Sequence, residues 1–576
     1  MQPRQISTLA QLLQIVEQQT SASTLQRPLG VVVVIVQTDE QLAQLCCDDA
    51  GLPPDTLRTI IGQQASLVHE ALTALPPIAL VIDTRSATGP QQRKLFESAY
   101  FLLDTGARWA ALLEAGTQES DDAIAPTGAA LATDRGRDQT GEQGDPQPLM
   151  ARLGEMFLGA GGPEDVRARW RTHHRSTEHA VLAPQLAAFV KGRSHLLKIR
   201  DADALALLPR REPDLDVREV ASRPAVNLTT HNHVQYGAQF GEPQLPAVLA
   251  SPRLSLRCYS GLITLPVSGL AYHGRTLLPD SFRWHLSEVP TSSGIRDTGQ
   301  SFARLQPHAE PQHLPGSYFH FGYNNPGHFG HLMTEALAKL WGWDAAKADD
   351  PSLKILCRLH PDRPTLPADR LESRLLPAYG IAPEDIVWAD GPVSVDTLYA
   401  NTPMWHNTVP FHAHEGMLAE WVRLGDGLLS GADVTPGPER IFVTRRAGNR
   451  PCRNAEEVEA IFEEMGYTVA LTGHLSIPEQ VALFANARVV AGFGGAGMFN
   501  LAYARKVESV VVLNQWAYEA RNEQLFAAVH RAACHTFWSA PSIDRPSQGS
   551  TYAAHQSGWE FDLGLSGELR AVLAGL

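Results

Sequence analysis

Residues 491–500 read AGFGGAGMFN, and Gly492-Phe493-Gly494-Gly495-Ala496-Gly497 within them satisfies G-x-G-x-x-G, the glycine pattern of dinucleotide-binding turns. Such a turn should follow the first strand of its domain, with an acidic residue about 20 positions onward to hold the ribose hydroxyls. Neither condition is met. The loop follows the third strand of its run, and the next strand ends in Asn514-Gln515. A nicotinamide site is therefore disfavoured, although an oxidoreductase using residues 492–497 stays as the competing reading. What survives is an anion site, because a glycine turn opening a helix at the carboxyl end of a parallel strand presents N–H groups and a positive dipole end.

The elements around the loop must build that site. From residue 440 the sequence alternates apolar strands and amphipathic helices: RIFVTRR, NAEEVEAIFEEMGY, TVAL, SIPEQVALFANA, RVVAGFG, a helix from Ala496, SVVVLN and EARNEQLFAAVHRAA. This predicts a parallel, doubly wound sheet. Short β-prone pieces such as RLSLRCYSGLITLPVSGLAYHG precede it, followed by helical patterning around GHLMTEALAKLWGW, which predicts another α/β domain with a strand-rich entry. At the N-terminus, LGVVVVIVQTDEQLAQL and PIALVIDTRSATGPQQRKLFESAYFLLDTGARWAALLE each read as a buried strand running into a helix. Residues 117–148 carry no hydrophobic period and read as a surface insertion.

A chain of 576 residues exceeds one hydrophobic core, so two or three domains are expected. The net charge of −14 disfavours nucleic acid or an anionic membrane as the main partner. Six scattered cysteines form no C-x-x-C pair, and the longest apolar run, VVVVIV, is far too short to span a bilayer. With no signal segment opening the chain, a cytoplasmic location is expected.

Over roughly residues 240–540 the chain resembles glycosyltransferase family 61. FVTRRAGNRPCRNAEEV matches the family's strand end at Arg445, Arg450 and Asn454, with Thr444 in place of serine and Ala455 in place of glutamate. LSIPEQVALFANARVVAGFGGAGMFN is similar to its Glu-Gln helix and its Gly-x-His-Gly-Ala-Gly-x-x-Asn loop: Gly495, Ala496, Gly497 and Asn500 are retained, and Gly494 stands where histidine is usual. GHFGHLMTEALAKL aligns Gly330, His331 and Glu335, with His328 in place of asparagine, and LLPDSFRWH resembles the family's lead-in. The resemblance implies an α/β fold of GT-B type, a pair of Rossmann-like lobes, and inverting transfer from a nucleotide sugar to a glycan acceptor.

At the matched positions that chemistry needs a general base for the acceptor hydroxyl and positive charge or N–H donors for the departing diphosphate. Glu335 is the candidate base; His331, four residues earlier, shares its helix face and could orient it or replace it. Arg445, at a strand end where open sheets bind ligands, is the candidate pyrophosphate clamp, with Arg450, Gly495, Ala496, Gly497 and Asn500 beside it. Glu479 is a candidate for donor ribose or base, yet Ser476-Ile477-Pro478-Glu479 also has the form of a capping box, as does Asn454-Ala455-Glu456-Glu457. His328, His331 and Glu335 could also be read as metal ligands, but no outside ligand completes the set, so no metal or cofactor is expected.

The N-terminal third faintly resembles a class I methyltransferase domain: Asp83 is retained at its strand end, Thr84 replaces a second acid, and no glycine-rich turn follows the first strand. A degenerate domain kept for structure or for binding a protein partner is expected. The expected organisation is 1–220 for this domain, 235–410 for an acceptor-side lobe and 411–576 for a donor lobe. The expected role is bacterial surface or capsular polysaccharide synthesis, with a catalytically inactive sugar-binding scaffold as the remaining alternative.

Overall fold

The structure, a computed structural model, describes residues 8–576 except 39–51, 86–94, 113–172, 238–244, 360–365, 545–551 and single positions or pairs elsewhere. The insertion at 117–148 and the helix expected directly after Val36 lie outside the described residues. The chain is mixed α/β and forms two compact units: Met1–Leu215 with Gly274–Leu277 and Ile295–Pro307, and Asp216–His273 with Leu278–Gly294 and His308–Leu576. Among the described residues no helix is long and apolar enough to cross a membrane.

In the first unit, β1 (Val31–Val36), β2 (Leu57–Ile61), β3 (Ile78–Asp83), β4 (Arg108–Leu112), β5 (Thr177–Ala183) and β6 (Leu186–Lys191) form one sheet in the order β2-β1-β3-β4-β6-β5. The first four are parallel, and β6 runs antiparallel between β4 and β5. An unbroken run of valine suits a strand buried on both faces. Val31, Val33 and Ile35 enter one core while Val32, Val34 and Val36 enter another.

The second unit holds two larger sheets. β7 (Asp216–Arg223), β8 (Leu254–Leu265), β9 (Gln312–His320), β10 (Lys354–Arg358), β11 (Ile386–Ala389) and β12 (Val393–Asn401) lie in the order β7-β8-β12-β9-β10-β11. The run from β12 through β9 and β10 to β11 is parallel, and β8 is antiparallel to both of its neighbours. The other sheet comprises β13 (Arg440–Val443), β14 (Thr468–Ala470), β15 (Val489–Phe493), β16 (Ser509–Gln515) and β17 (Ala533–Ser539) in the order β14-β13-β15-β16-β17, with His233–Tyr236 added beside β17. Every pairing in it is parallel. β15 and β16 are buried along their whole length, as near-continuous apolar strands require. Ile441, Val443 and Val490 face one core, and Phe442, Ala491 and Val511 the other, which also holds Phe462, Trp559 and Phe561.

Candidate active site

β13 and β15 are neighbours, while β14 lies outside β13 and β16 outside β15. The chain therefore leaves the sheet in opposite directions on the two sides of this pair, and ligands of open parallel sheets bind at the carboxyl ends of such a switch point. Val443 and Gly492 are register partners there. Thr444 to Arg446 on one side and Phe493 and Gly497 on the other line a cavity of about 290 Å³, together with Val443, Thr472 and His474.

The arginines at this edge differ in what holds them. Arg446 is exposed and forms a forked ion pair with Glu459, which also accepts the Thr444 hydroxyl. Arg445 is half-buried and, among the described residues, donates only to carbonyl oxygens, to Asn449 at 2.6 Å and to Gly494. Burial, reinforced by the charge on Arg450, lowers its pKa to about 10. Arg450 stands 4.5 Å above the Tyr518 ring, and its Nη1 donates to His555 Nε2 at 3.2 Å. Its Nε is buried without a hydrogen-bond partner among the described residues. Arg450 also has φ +59°, a left-handed conformation that disfavours any side chain; its amide donates to Gln556 at 3.2 Å, and its carbonyl accepts the Trp559 indole. Two guanidinium groups thus sit at the switch point against neutral acceptors.

The glycine loop closes the other side. Gly495 has φ +136°, and a Cβ there would lie 2.2 Å from Arg445 Nη2. Its amide is not bare, as the sequence suggests, but donates to the buried carboxylate of Glu523 at 2.5 Å. The segment that follows, Ala496–Tyr503, is a 3-10 helix rather than an α-helix. Its first amides, at Ala496 and Gly497, still lack an intrahelical acceptor. Asn500 is buried and its side chain donates to the Gly497 carbonyl at 3.1 Å, so it shapes the loop from within. At Gly494 a Cβ would lie 2.2 Å from Asn514 Nδ2. The space a side chain would need at that position is already filled.

Glu479 does not join this group. Its carboxylate accepts the Ser476 amide at 2.7 Å while the Ser476 hydroxyl accepts the Glu479 amide, a complete capping box on the exposed N-terminus of the helix Ile477–Ala485. The second expected box, at Asn454, does not form: the Asn454 side chain is held instead by the backbone of Phe561. In the first unit, Asp83 is likewise consumed internally, since both its oxygens accept from the Arg85 guanidinium, at 2.9 and 2.7 Å.

His331 and Glu335 lie in the helical segment 329–349, whose turn Leu332–Ala336 is a π-helix, a local widening that recurs at functional sites. His331 Nδ1 stands 2.7 Å from Glu335 Oε1, the same oxygen accepts from Arg283 Nε at 2.7 Å, and Oε2 accepts the Asn324 amide at 3.1 Å. Burial pushes the Glu335 carboxyl up, but the Arg283 charge, the His331 contact and the Asn324 amide prevail and hold it below the ordinary range. Arg283 Nη2 also lies 3.4 Å from His331 Nδ1; when Nδ1 carries its proton toward the carboxylate, the half-buried ring's Nε2 is left as the acceptor. Arg283 follows the turn Pro279–Ser281, anchored by a buried ion pair of Asp280 with Arg257 at 2.5 Å. His328 caps the segment, its Nδ1 accepting the His331 amide at 3.4 Å.

The two halves of the site touch through the glycine loop's own helix. A Cβ on Gly330 would lie 3.0 Å from Phe499, and Tyr503 Oη lies 3.7 Å from Met333 Sδ. Sequence reading gave no site role to Arg283, Asn514 or Glu523; Arg283 had a signal in its place within LLPDSFRWH.

No curated protein matches the chain. Residues 329–512 match the family model described as Glycosyltransferase 61, a stretch that starts beside His331 and Glu335 and runs through Arg445, the glycine loop and Asn500. The match supports assigning this stretch to glycosyltransferase family 61 and reading the chain as a glycosyltransferase.

Proposed function

We propose that the chain is an inverting transferase of GT-B type, with an acceptor-side lobe at 235–410 and a donor lobe at 411–576. His331 Nε2 takes the proton of the acceptor hydroxyl as that oxygen attacks the anomeric carbon. Glu335 positions the ring and stabilises the imidazolium that forms, and Arg283 fixes the carboxylate. The leaving nucleoside diphosphate is received by Arg445 and Arg450 with the amides of Ala496 and Gly497. The observation that carries this reading is the His331–Glu335–Arg283 cluster, an imidazole and a carboxylate in contact, packed on the helix that begins at the glycine loop. Because the guanidinium groups supply the charge the leaving group needs, turnover is expected to survive chelation of divalent ions.

The acceptor we propose is a precursor of a surface or capsular polysaccharide. For the first unit we retain a degenerate methyltransferase-like domain, supported by the engagement of both Asp83 oxygens with Arg85. A panel of nucleotide sugars, assayed for nucleoside-diphosphate release and for the anomeric configuration of the product, tests the main reading. Release with inversion supports it. Retention refutes the mechanism, and donor binding without release with any glycan acceptor supports an inactive scaffold.

A further inference from the structure

Glu523 opens the helix Asn522–His530 and is fully buried. Its Oε1 accepts the Gly495 amide at 2.5 Å, and its Oε2 is buried with no hydrogen-bond partner among the described residues. A carboxylate with a bare buried oxygen is costly unless opposite charge lies nearby. Here that charge comes from Arg445 and Arg450, the two guanidinium groups held by neutral acceptors. The other titratable groups around it are Tyr518 in the turn after β16 and Cys534 in β17, with His555 behind Arg450.

We propose that Glu523 is an internal stand-in for the donor's diphosphate, and that binding of a nucleoside diphosphate is coupled to uptake of one proton by Glu523. The inference rests on the donor-site reading above and deepens it. In the empty site the carboxylate occupies the Gly495 amide and offsets the two arginines. A diphosphate drawn to the same guanidinium groups brings like charge beside a buried carboxylate, which disfavours its ionised form. Burial already pushes this carboxyl up, against the pull of its amide partners and of Arg450 and Arg445. Protonation converts the bare Oε2 into a hydroxyl donor able to serve the incoming phosphate. The proton comes from solvent and returns when the diphosphate leaves.

The test is titration calorimetry on the full-length protein at pH 8.5, above the histidine range, in two buffers of different ionisation enthalpy. The probes are the four ribonucleoside diphosphates, whose phosphate groups are fully ionised at this pH. The wild type should take up close to one proton per ligand bound, and its affinity should fall by up to tenfold per unit of pH above 8. Glu523→Gln, a neutral mimic of the acid that still accepts the Gly495 amide, should bind without proton uptake and with a flat pH dependence. Binding by the wild type with no proton uptake overturns the inference while leaving the donor site standing. Undiminished uptake by Glu523→Gln also overturns it, and absence of binding by any probe removes the donor-site reading and this inference together. Absence of proton uptake by the wild type overturns the inference even if the variant fails to fold.

Discussion

Glu335 Oε1 lies 2.7 Å from His331 Nδ1 and equally 2.7 Å from Arg283 Nε, so the carboxylate is an anion held between two donors. A carboxylate so held, with its pKa lowered, is a poor proton acceptor, whereas the imidazole it orients keeps Nε2 for that task. In the proposed mechanism the base therefore passes from Glu335, favoured by sequence, to His331.

His331→Ala should lower kcat by roughly 10²- to 10⁴-fold, the usual contribution of a positioned general base. Glu335→Gln should also lower kcat, with donor affinity intact in both variants. Steady-state kinetics beside donor titration would show this, and a Glu335→Gln enzyme with wild-type kcat would exclude the orienting role.

Arg445 and Arg446 are adjacent but not equivalent. Arg445→Ala removes a charge held by the Asn449 and Gly494 carbonyl oxygens and should weaken nucleoside-diphosphate binding by about 1.5–3 kcal/mol, roughly ten- to a hundredfold. Arg446→Ala removes an exposed group already paired with Glu459 and should change that affinity little. Equal losses from the two substitutions, measured by calorimetry, would contradict the assignment.

How far the sequence could be read follows from the range of the interactions. β13, β15 and β16 are legible because a parallel strand buried on both faces writes itself as an unbroken apolar run. The strand His233–Tyr236 is not, since its partner Cys534–Phe537 lies some 300 residues away and its own pattern is polar. The i, i+4 spacing of His331 and Glu335 carried their contact through a π-turn, but Arg283 joins them across 52 residues and Glu523 reaches Gly495 across 28, with no motif linking either pair. Asn454 shows the reverse failure. Its local capping pattern is sound, but Phe561, 107 residues on, offers its side chain two hydrogen bonds that the helix end cannot match.

The Asn514 side chain fills the space above Gly494, so the two positions should be coupled. Gly494→Ala drives a Cβ into a buried amide and should cost on the order of 1–3 kcal/mol, as overpacking does. Asn514→Ala should recover part of that loss when combined with it. A double-mutant cycle read by thermal unfolding checks this, and strict additivity would show that the two residues do not share the space.

Lys339 gives a pH-dependent term of definite sign. Its ammonium is buried, donates to the Gly322 carbonyl at 2.5 Å, and has its pKa pushed by burial from 10.5 to about 8, against the pull of Glu335 and Asp280. Between these values the unfolded chain binds more protons than the folded one, so stability rises with pH across the window. Relative to a neutral residue, the wild type bears the full cost of its buried charge below pH 8 and sheds it toward pH 10.5. The shift corresponds to roughly 3 kcal/mol. Lys339→Met removes the titrating group, so the melting temperature of the wild type should climb relative to that of the variant between pH 8 and 10.5 at constant ionic strength. A difference that stays flat over this range would show that the ammonium is not held in the dry environment the structure gives it.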